Sequence, residues 1–317
     1  MSEIRPIKIS KGLKVSDLIH EYGKAGVFGA GRVSRAVEIL SEMFSDDKAT
    51  VYLGFSGALC AAGMRQIFAE MIKEGLLDVI VTTGANVTHD IIEALGGRHI
   101  RNIKYLDDED LRRRQLNRIF DAFISDEAFI TFEKKIQMIL SDIEEKKRKN
   151  GIAPFELIWE IGYRINDPNS MVRQAALNNV PIFCPAIVDS ILGLQIYLFS
   201  QENTIKIDPL KDLRKIIDIT FESDRKGAII LGGGVPKNFI FQAALITGKG
   251  FDYAIQITMD RPEAGGLSGA SIAEAISWGK VKSDAQWVDV IGDVTIIFPL
   301  ILSAALDNMG KGKGSTR

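Results

Sequence analysis

The feature that most constrains this chain is a repeated succession of short, β-branched apolar runs separated by amphipathic stretches. Val51–Phe55 precedes a helical pattern over Leu59–Glu74. Asp78–Thr82, Pro181–Cys184, Ala228–Leu231 and Tyr253–Ile257 follow. Strands that are apolar on both faces need cover on both, which a parallel sheet flanked by helices supplies. In such sheets ligands gather beyond the carboxyl ends of the strands. That rule directs attention to Ser56-Gly57, Thr83–Asn86, Ala186–Asp189, Gly232–Gly234 and Thr258–Asp260.

The chain's 317 residues suffice for one large or two small domains, and 46% apolar with 25% charged residues excludes a disordered or fibrous chain. A net charge of −2, with both signs scattered, leaves no footprint for nucleic acid. The start, Met1–Pro6, lacks a secretory pattern. The longest apolar run, Thr295–Leu306, is too short to span a membrane and contains Pro299; it reads as a buried strand running into a helix. Cys60 and Cys184 have no metal-ligand spacing and read as small buried hydrophobes in a reducing compartment, so no metal and a cytoplasmic location are expected. One domain is expected over residues 1–309, with a charged helical insertion at about 107–166 that lacks a strong strand. Within it Asp107–Arg114 reads as a solvated helix start and Glu144–Asn150 as an exposed helix end, and the tail Gly310–Arg317 reads as disordered.

The strongest local chemical signal is Ala228–Asn238, an apolar strand that ends in Gly232-Gly233-Gly234 and opens a helix with Pro236 in its first turn. Glycines permit close backbone approach, and a helix N-terminus offers N–H groups to a phosphate, so a dinucleotide pyrophosphate would fit; a turn needed only for packing has the same pattern. Gly29–Ser34 has a similar spacing but follows no strand, and reads as a helix start. A second signal is Glu274–Lys280. A lysine that attacks as an amine needs partial burial or a nearby cation, and Trp278 could wall it; a surface lysine after a helix fits the same residues. Asp260, Glu263 and Glu274 gather near Trp278 in sequence, as a cationic amine would require. His20, His89 and His99 are too scattered for a metal site, and only His89 lies just beyond a strand end.

Leu231–Lys237, Ser268-Gly269-Ala270, Ser277-Trp278-Gly279-Lys280 and Ile296–Leu300 together resemble deoxyhypusine synthase, and thinner similarity extends back through Val81–Thr83 and Val51–Gly54 to Arg35–Ile39. The resemblance implies a Rossmann-like, doubly wound, mostly parallel sheet and a homotetramer with active sites at dimer interfaces. It implies NAD-dependent dehydrogenation of spermidine, an imine on Lys280, and transfer of the aminobutyl group to a lysine of the hypusine-containing translation factor. Trp278 and Glu274 match polyamine-tunnel positions. Gly232, Gly233, Gly234, Asp189 and Asp293 match positions around NAD, and Thr83 and Ser56 join this cofactor set.

The sequence departs from the family pattern at several of these places. Asn238 stands for a proton-transferring histidine, and an amide cannot titrate near neutral pH. Leu194 stands for an amine-binding aspartate, Ser56-Gly57-Ala58 for Thr-Ser-Asn, Thr88-His89 for paired glutamates, and Ala264 for an aspartate. Asn238 and Leu194 thus remain candidates for the catalytic and substrate positions in altered form. Two further readings stay open: the same chemistry with a free diamine acceptor, as in homospermidine synthesis, or a non-catalytic NAD-binding structural subunit.

Overall fold

A computed structural model describes residues 3–101 and 107–309, so Met1, Ser2 and the Gly310–Arg317 tail read as disordered lie outside the described residues. The chain divides into two compact units, one formed by the residues up to Phe55 with those from Ile216 onward, the other by Ser56–Lys215. The first unit opens with α1 (Val15–Ala25), α2 (Phe28–Ser45) and β1 (Ala49–Phe55). The second contains α3 (Arg65–Lys73), β2 (Val79–Thr82), α4 (Gly84–Ala94), β3 (Ile100–Arg101), α5 (Asp108–Arg113), β4 (Leu116–Ile119) and β5 (Ala122–Ser125). It continues through α6 (Asp126–Asp142), α7 (Glu145–Asn150), α8 (Pro154–Arg164), α9 (Met171–Leu177), β6 (Ile182–Phe183) and α10 (Ile191–Ser200). After α11 (Pro209–Glu222) the first unit resumes with β7 (Arg225–Leu231), α12 (Gly234–Thr247), β8 (Phe251–Thr258), α13 (Ile272–Ser277), β9 (Val281–Ile291) and α14 (Val294–Met309).

In the first unit the strands run parallel in the order β1-β7-β8-β9. The α/β class and parallel pairing read from the apolar runs are the ones that form. β7 is buried from Lys226 to Leu231, as a strand covered on both faces must be. Helix α2 buries Val33, Ala36, Val37, Leu40 and Phe44, an i, i+3, i+4 stripe. Tyr52, Phe251 and Phe241 stack edge to face at centroid separations of 5.2 Å, and the Tyr52 hydroxyl bonds Thr220 at 3.0 Å. Gly29–Ser34 lies inside α2, as a helix start. A side chain at Gly31 would come within 2.4 Å of the Gly26 backbone, so its glycine serves the turn between α1 and α2.

In the second unit β2 pairs parallel with β6, while β3, β5 and β4 form a separate antiparallel sheet. Two of those strands fall in the stretch read as helical and without a strong strand; β4 and β5 have four residues each, too few to stand out beside the charged helices around them. Glu144–Asn150, read as a helix end, holds a short helix of its own, α7. A second correction concerns Thr295–Leu306, read as a strand entering a helix: all of it lies in α14. Its buried residues, Phe298, Ile301, Leu302, Ala304 and Ala305, keep helical spacing, which outweighs the β-branched start. Among the described residues no helix is long and apolar enough to cross a membrane.

Asp212, in the second unit, gives a stability test. Its Oδ1 accepts from the Phe155 amide at 3.1 Å, yet burial pushes its carboxyl from 3.8 up to about 7. A carboxyl raised by folding opposes the folded state once ionised, so its cost grows as pH rises from about 4 to about 7 and is constant above. Asp212→Asn should remove that slope and stabilise the protein at pH 8 by on the order of 2–4 kcal/mol, while changing little at pH 4. Urea titrations of both proteins at the two pH values measure the difference.

Candidate functional site

In the first unit the glycine turn sits beyond the carboxyl end of β7. Gly232 (φ 83°) and Gly234 (φ 62°) adopt left-handed backbone that a side chain would strain. Gly233 is required for a different reason: a Cβ there would lie 2.4 Å from the Ser268 Cα. Gln256, buried in the middle of β8, holds the two loops together. Its amide nitrogen, Nε2, donates to the carbonyls of Gly232 (3.1 Å) and Ser268 (2.8 Å), and its Oε1 accepts from Lys237 Nζ at 2.9 Å. Lys237 Nζ also donates to the carbonyls of Leu267, at 3.1 Å, and Ala270. Burial lowers this lysine to about 8, with the charge of Lys280 adding to the effect while Asp289 and Glu274 oppose it. Three acceptors match the three protons of an ammonium and leave no lone pair free, so Lys237 is built as an anchor rather than a nucleophile.

Lys280 lies elsewhere in this unit. Ser271 caps α13 by accepting from the Glu274 amide at 3.3 Å, and both carboxylate oxygens of Asp289 accept from the Ile272 amide at 3.2 Å. The helix ends at Trp278, and after Gly279 (φ 69°) Lys280 enters β9, its carbonyl accepting from the Phe251 amide at 3.0 Å. Lys280 Nζ stands 5.4 Å from the centre of the Trp278 ring, which is 62% exposed. The expected aromatic neighbour is thus present, but Lys280 stands just before the amino end of β9. Glycine turn, Asp260 and Asp293 instead follow the carboxyl ends of β7, β8 and β9.

The other expected residues of this unit do not converge on the lysine through hydrogen bonds. Glu274, Asp260 and Glu263 are exposed, the last in a 3₁₀ turn over Pro262–Ala264. Asn238 donates to Gln242 Oε1 at 3.0 Å on the surface of α12. Asp293 Oδ1 accepts from the Thr295 amide and hydroxyl, both at 2.7 Å, which holds its carboxyl below the ordinary value and starts α14. No side chain caps α12, and a Cβ on Gly234 would meet open space, so the turn has room and N–H groups for a pyrophosphate.

The second unit carries Ser56, Thr83, Asp189 and Leu194. Asn86, buried on α4, donates to the Gly57 carbonyl (2.8 Å) and the hydroxyls of Thr82 and Thr83 (3.2 Å each), and accepts from the Cys60 amide at 3.1 Å. Asp189 lines a cavity of about 390 Å³ with Thr88, His89, Asn117 and Ser190; Ile119, Ile124, Phe129 and Ile191 supply its apolar wall. Leu194, 47% exposed on α10, does not line that cavity. His89 Nδ1 contacts His99 Nε2 at 3.0 Å, and His99 Nδ1 contacts Glu93 Oε1 at 2.6 Å. Burial, followed by the charge of His99, lowers His89 to about 4. Cys60 and Cys184 are both buried and unpaired.

The deoxyhypusine synthase family profile matches residues 17–305. A relative from Methanosarcina acetivorans, named "Probable deoxyhypusine synthase 1", is 42% identical over 308 residues, covering 97% of this chain and 96% of its own. One from Methanothermobacter thermautotrophicus, named "Probable deoxyhypusine synthase", is 42% identical over 306 residues, covering 96% and 98%. The chain belongs to the deoxyhypusine synthase family. Its fold also matches the "Crystal Structure of a putative deoxyhypusine synthase from Entamoeba histolytica", with a TM-score of 0.67, 24% identity and 94% of each chain covered. Deoxyhypusine synthases are aminobutyl-transferring enzymes, and enzyme is the class to which this chain is assigned.

Sequence reasoning missed Gln256, Asp289 and the anchoring role of Lys237 in this deoxyhypusine synthase family member. A polar residue in the middle of the run Tyr253–Ile257 was the available signal for the first. If Lys237 anchors the loop, Lys237→Met leaves Gln256 and two carbonyls without a charged donor. A loss of about 2–4 kcal/mol is expected in urea unfolding, with faster amide exchange confined to residues 266–271. Unchanged exchange there contradicts the anchor.

Proposed function

We propose that this protein transfers the aminobutyl group of spermidine, by way of an imine on Lys280, to a lysine of the hypusine-containing translation factor. The observation that carries the reading is the pairing of Lys280 with the exposed Trp278 face in a chain of this family. When bound, NAD would supply the hydride acceptor. Gly232, Gly233 and Gly234 with the amino end of α12 would hold its pyrophosphate, and Ser56, Thr83, Asp189 and Asp293 are the other residues that the family resemblance assigns to it.

Lys280 Nζ would attack the oxidised carbon of the donor and release the diamine fragment; the acceptor amine would then displace Lys280, and return of the hydride to that same carbon would complete the transfer with no net oxidation. Trp278 lays an aromatic face beside the cationic chain, and Glu274, Asp260 and Glu263 supply carboxylates to its ammonium groups. Leu194 and Asn238 carry no charge where the family resemblance implies a carboxylate and an imidazole, which favours as a second reading a smaller free diamine as acceptor. A homotetramer with active sites at dimer interfaces suits the exposure of Trp278, since a large exposed aromatic is a surface that a second copy covers. A cytoplasmic location keeps the two buried thiols reduced.

The test is incubation with NAD, spermidine and the translation factor, followed by intact-mass measurement of the factor and chromatography of small amines. Mass gain on the factor, abolished by Lys280→Arg, is the expected result, because a guanidinium keeps the charge and cannot form the imine. Homospermidine formed from added putrescine without factor modification selects the second reading. Neither product, with no thermal stabilisation by millimolar NAD, overturns both in favour of a structural subunit.

A further inference from the structure

Glu93, His99 and His89 form an unbroken hydrogen-bonded row that ends at the cavity wall. Glu93 and His89 are four residues apart on α4 and so share a face. His99, whose side chain is 6% exposed, stands between them. The order of the atoms fixes the protons. A carboxylate only accepts, so His99 carries hydrogen on Nδ1; a neutral His99 then accepts at Nε2 from His89 Nδ1–H. That leaves the lone pair of His89 on Nε2, which makes no hydrogen bond among the described residues. His89 lines the cavity that also presents the Asp189 carboxylate beside an apolar wall. His89 Nε2 as an acceptor and an apolar wall for the methylenes are what an alkylamine entering this cavity would meet.

We propose that His89 is a base that takes a proton from the bound amine and passes the charge along the row to His99 beside Glu93. The inference rests on the reading above, since an amine has to lose its proton before hydride can leave the adjacent carbon. The step balances as a double transfer. The ammonium N–H bond breaks as a proton joins His89 Nε2; the His89 Nδ1–H proton moves to His99 Nε2. His89 ends neutral in its other tautomer, and His99 ends as an imidazolium paired with Glu93.

The charge therefore rests on the ring that touches a carboxylate, and not on His89, where burial disfavours it. Arg65 on α3 stands 3.7 Å from Glu93, while its other nitrogens bind Asp90 and Asp167. Of the remaining charged groups around the row, Asp189 faces the cavity and Asp126, at the start of α6, accepts from the cavity residue Asn117 at 2.6 Å. Arg173 of α9 is turned to the Ile165 carbonyl, and α10 carries no charge. The row thus offers a titratable base at the cavity wall.

The chain has three histidines, so long-range 1H–15N spectra of the histidine-labelled full-length protein are simple, with His20→Asn and His89→Gln completing the assignment. With both rings neutral, His89 is expected with hydrogen on Nδ1 and a bare Nε2 whose resonance moves when spermidine is added. Hydrogen on Nε2 instead, or no response to spermidine, overturns the proposal, and neither result depends on turnover. In single-turnover NADH formation with saturating NAD and spermidine, His89→Gln should slow the step at least about a hundredfold. Glu93→Gln, a positioning change, should move the acid limb of the pH–rate profile to lower pH, because His99 then holds its proton less tightly. An acid limb that stays in place, with rates within about threefold of wild type, marks a packing role only and overturns the relay. Wild-type protein that forms no NADH would refute the proposed function, leaving the spectra to decide on the base.

Discussion

Lys237 is nearly sealed from water, and its ammonium finds an acceptor for each of its three protons: Gln256 Oε1 and the carbonyls of Leu267 and Ala270. A buried cation is costly unless fully bonded, so this set of contacts fixes where the 266–270 loop can lie. Gln256 then ties the same loop to the glycine turn, and Gly233 has to lack a side chain because Ser268 is held so close. The shape of the glycine turn thus follows from one buried ammonium and one buried amide.

Buried carboxylates do comparable work at helix starts in both units. Asp289 accepts from the first amide of α13 and so sets the direction of the segment that carries Glu274, Trp278 and Lys280. Asp90 accepts from the Met171 and Val172 amides at 3.1 and 3.0 Å, from the Ser170 hydroxyl at 2.6 Å and from Arg65 at 2.9 Å, fixing α9 against α4. In each case a charge that would be unfavourable alone is satisfied by the unpaired amides of a helix N-terminus. These helices gain position as well as stability, and the residues proposed for chemistry inherit it.

The apolar runs made the parallel strands legible, and the strand–glycine–helix pattern and the Trp278–Lys280 pair could be read at their correct places. What escaped were contacts made across the sequence. Gln256 looks like an interruption of a strand until Gly232 and Ser268 are seen on either side of it. β9 opens with the polar run Lys282-Ser283-Asp284, which hides its first half as a strand, and pairing with β8 across a register shift carries the strand through it. Asp293, matched to a cofactor position, spends one oxygen on capping α14, which a local pattern of β-branched residues had concealed. His99 carried no motif at all, and its meaning depends on His89 and Glu93 on a neighbouring helix.

The proposed chemistry divides labour between two lysines, with Lys237 a saturated anchor and Lys280 the nucleophile proposed above. Borohydride reduction in the presence of NAD and spermidine, followed by proteolysis and peptide mapping, distinguishes them directly. The account predicts a reduced aminobutyl adduct on the peptide that holds Lys280, with the Lys237 peptide unmodified. An adduct on Lys237, with Lys280 unmodified, would contradict it.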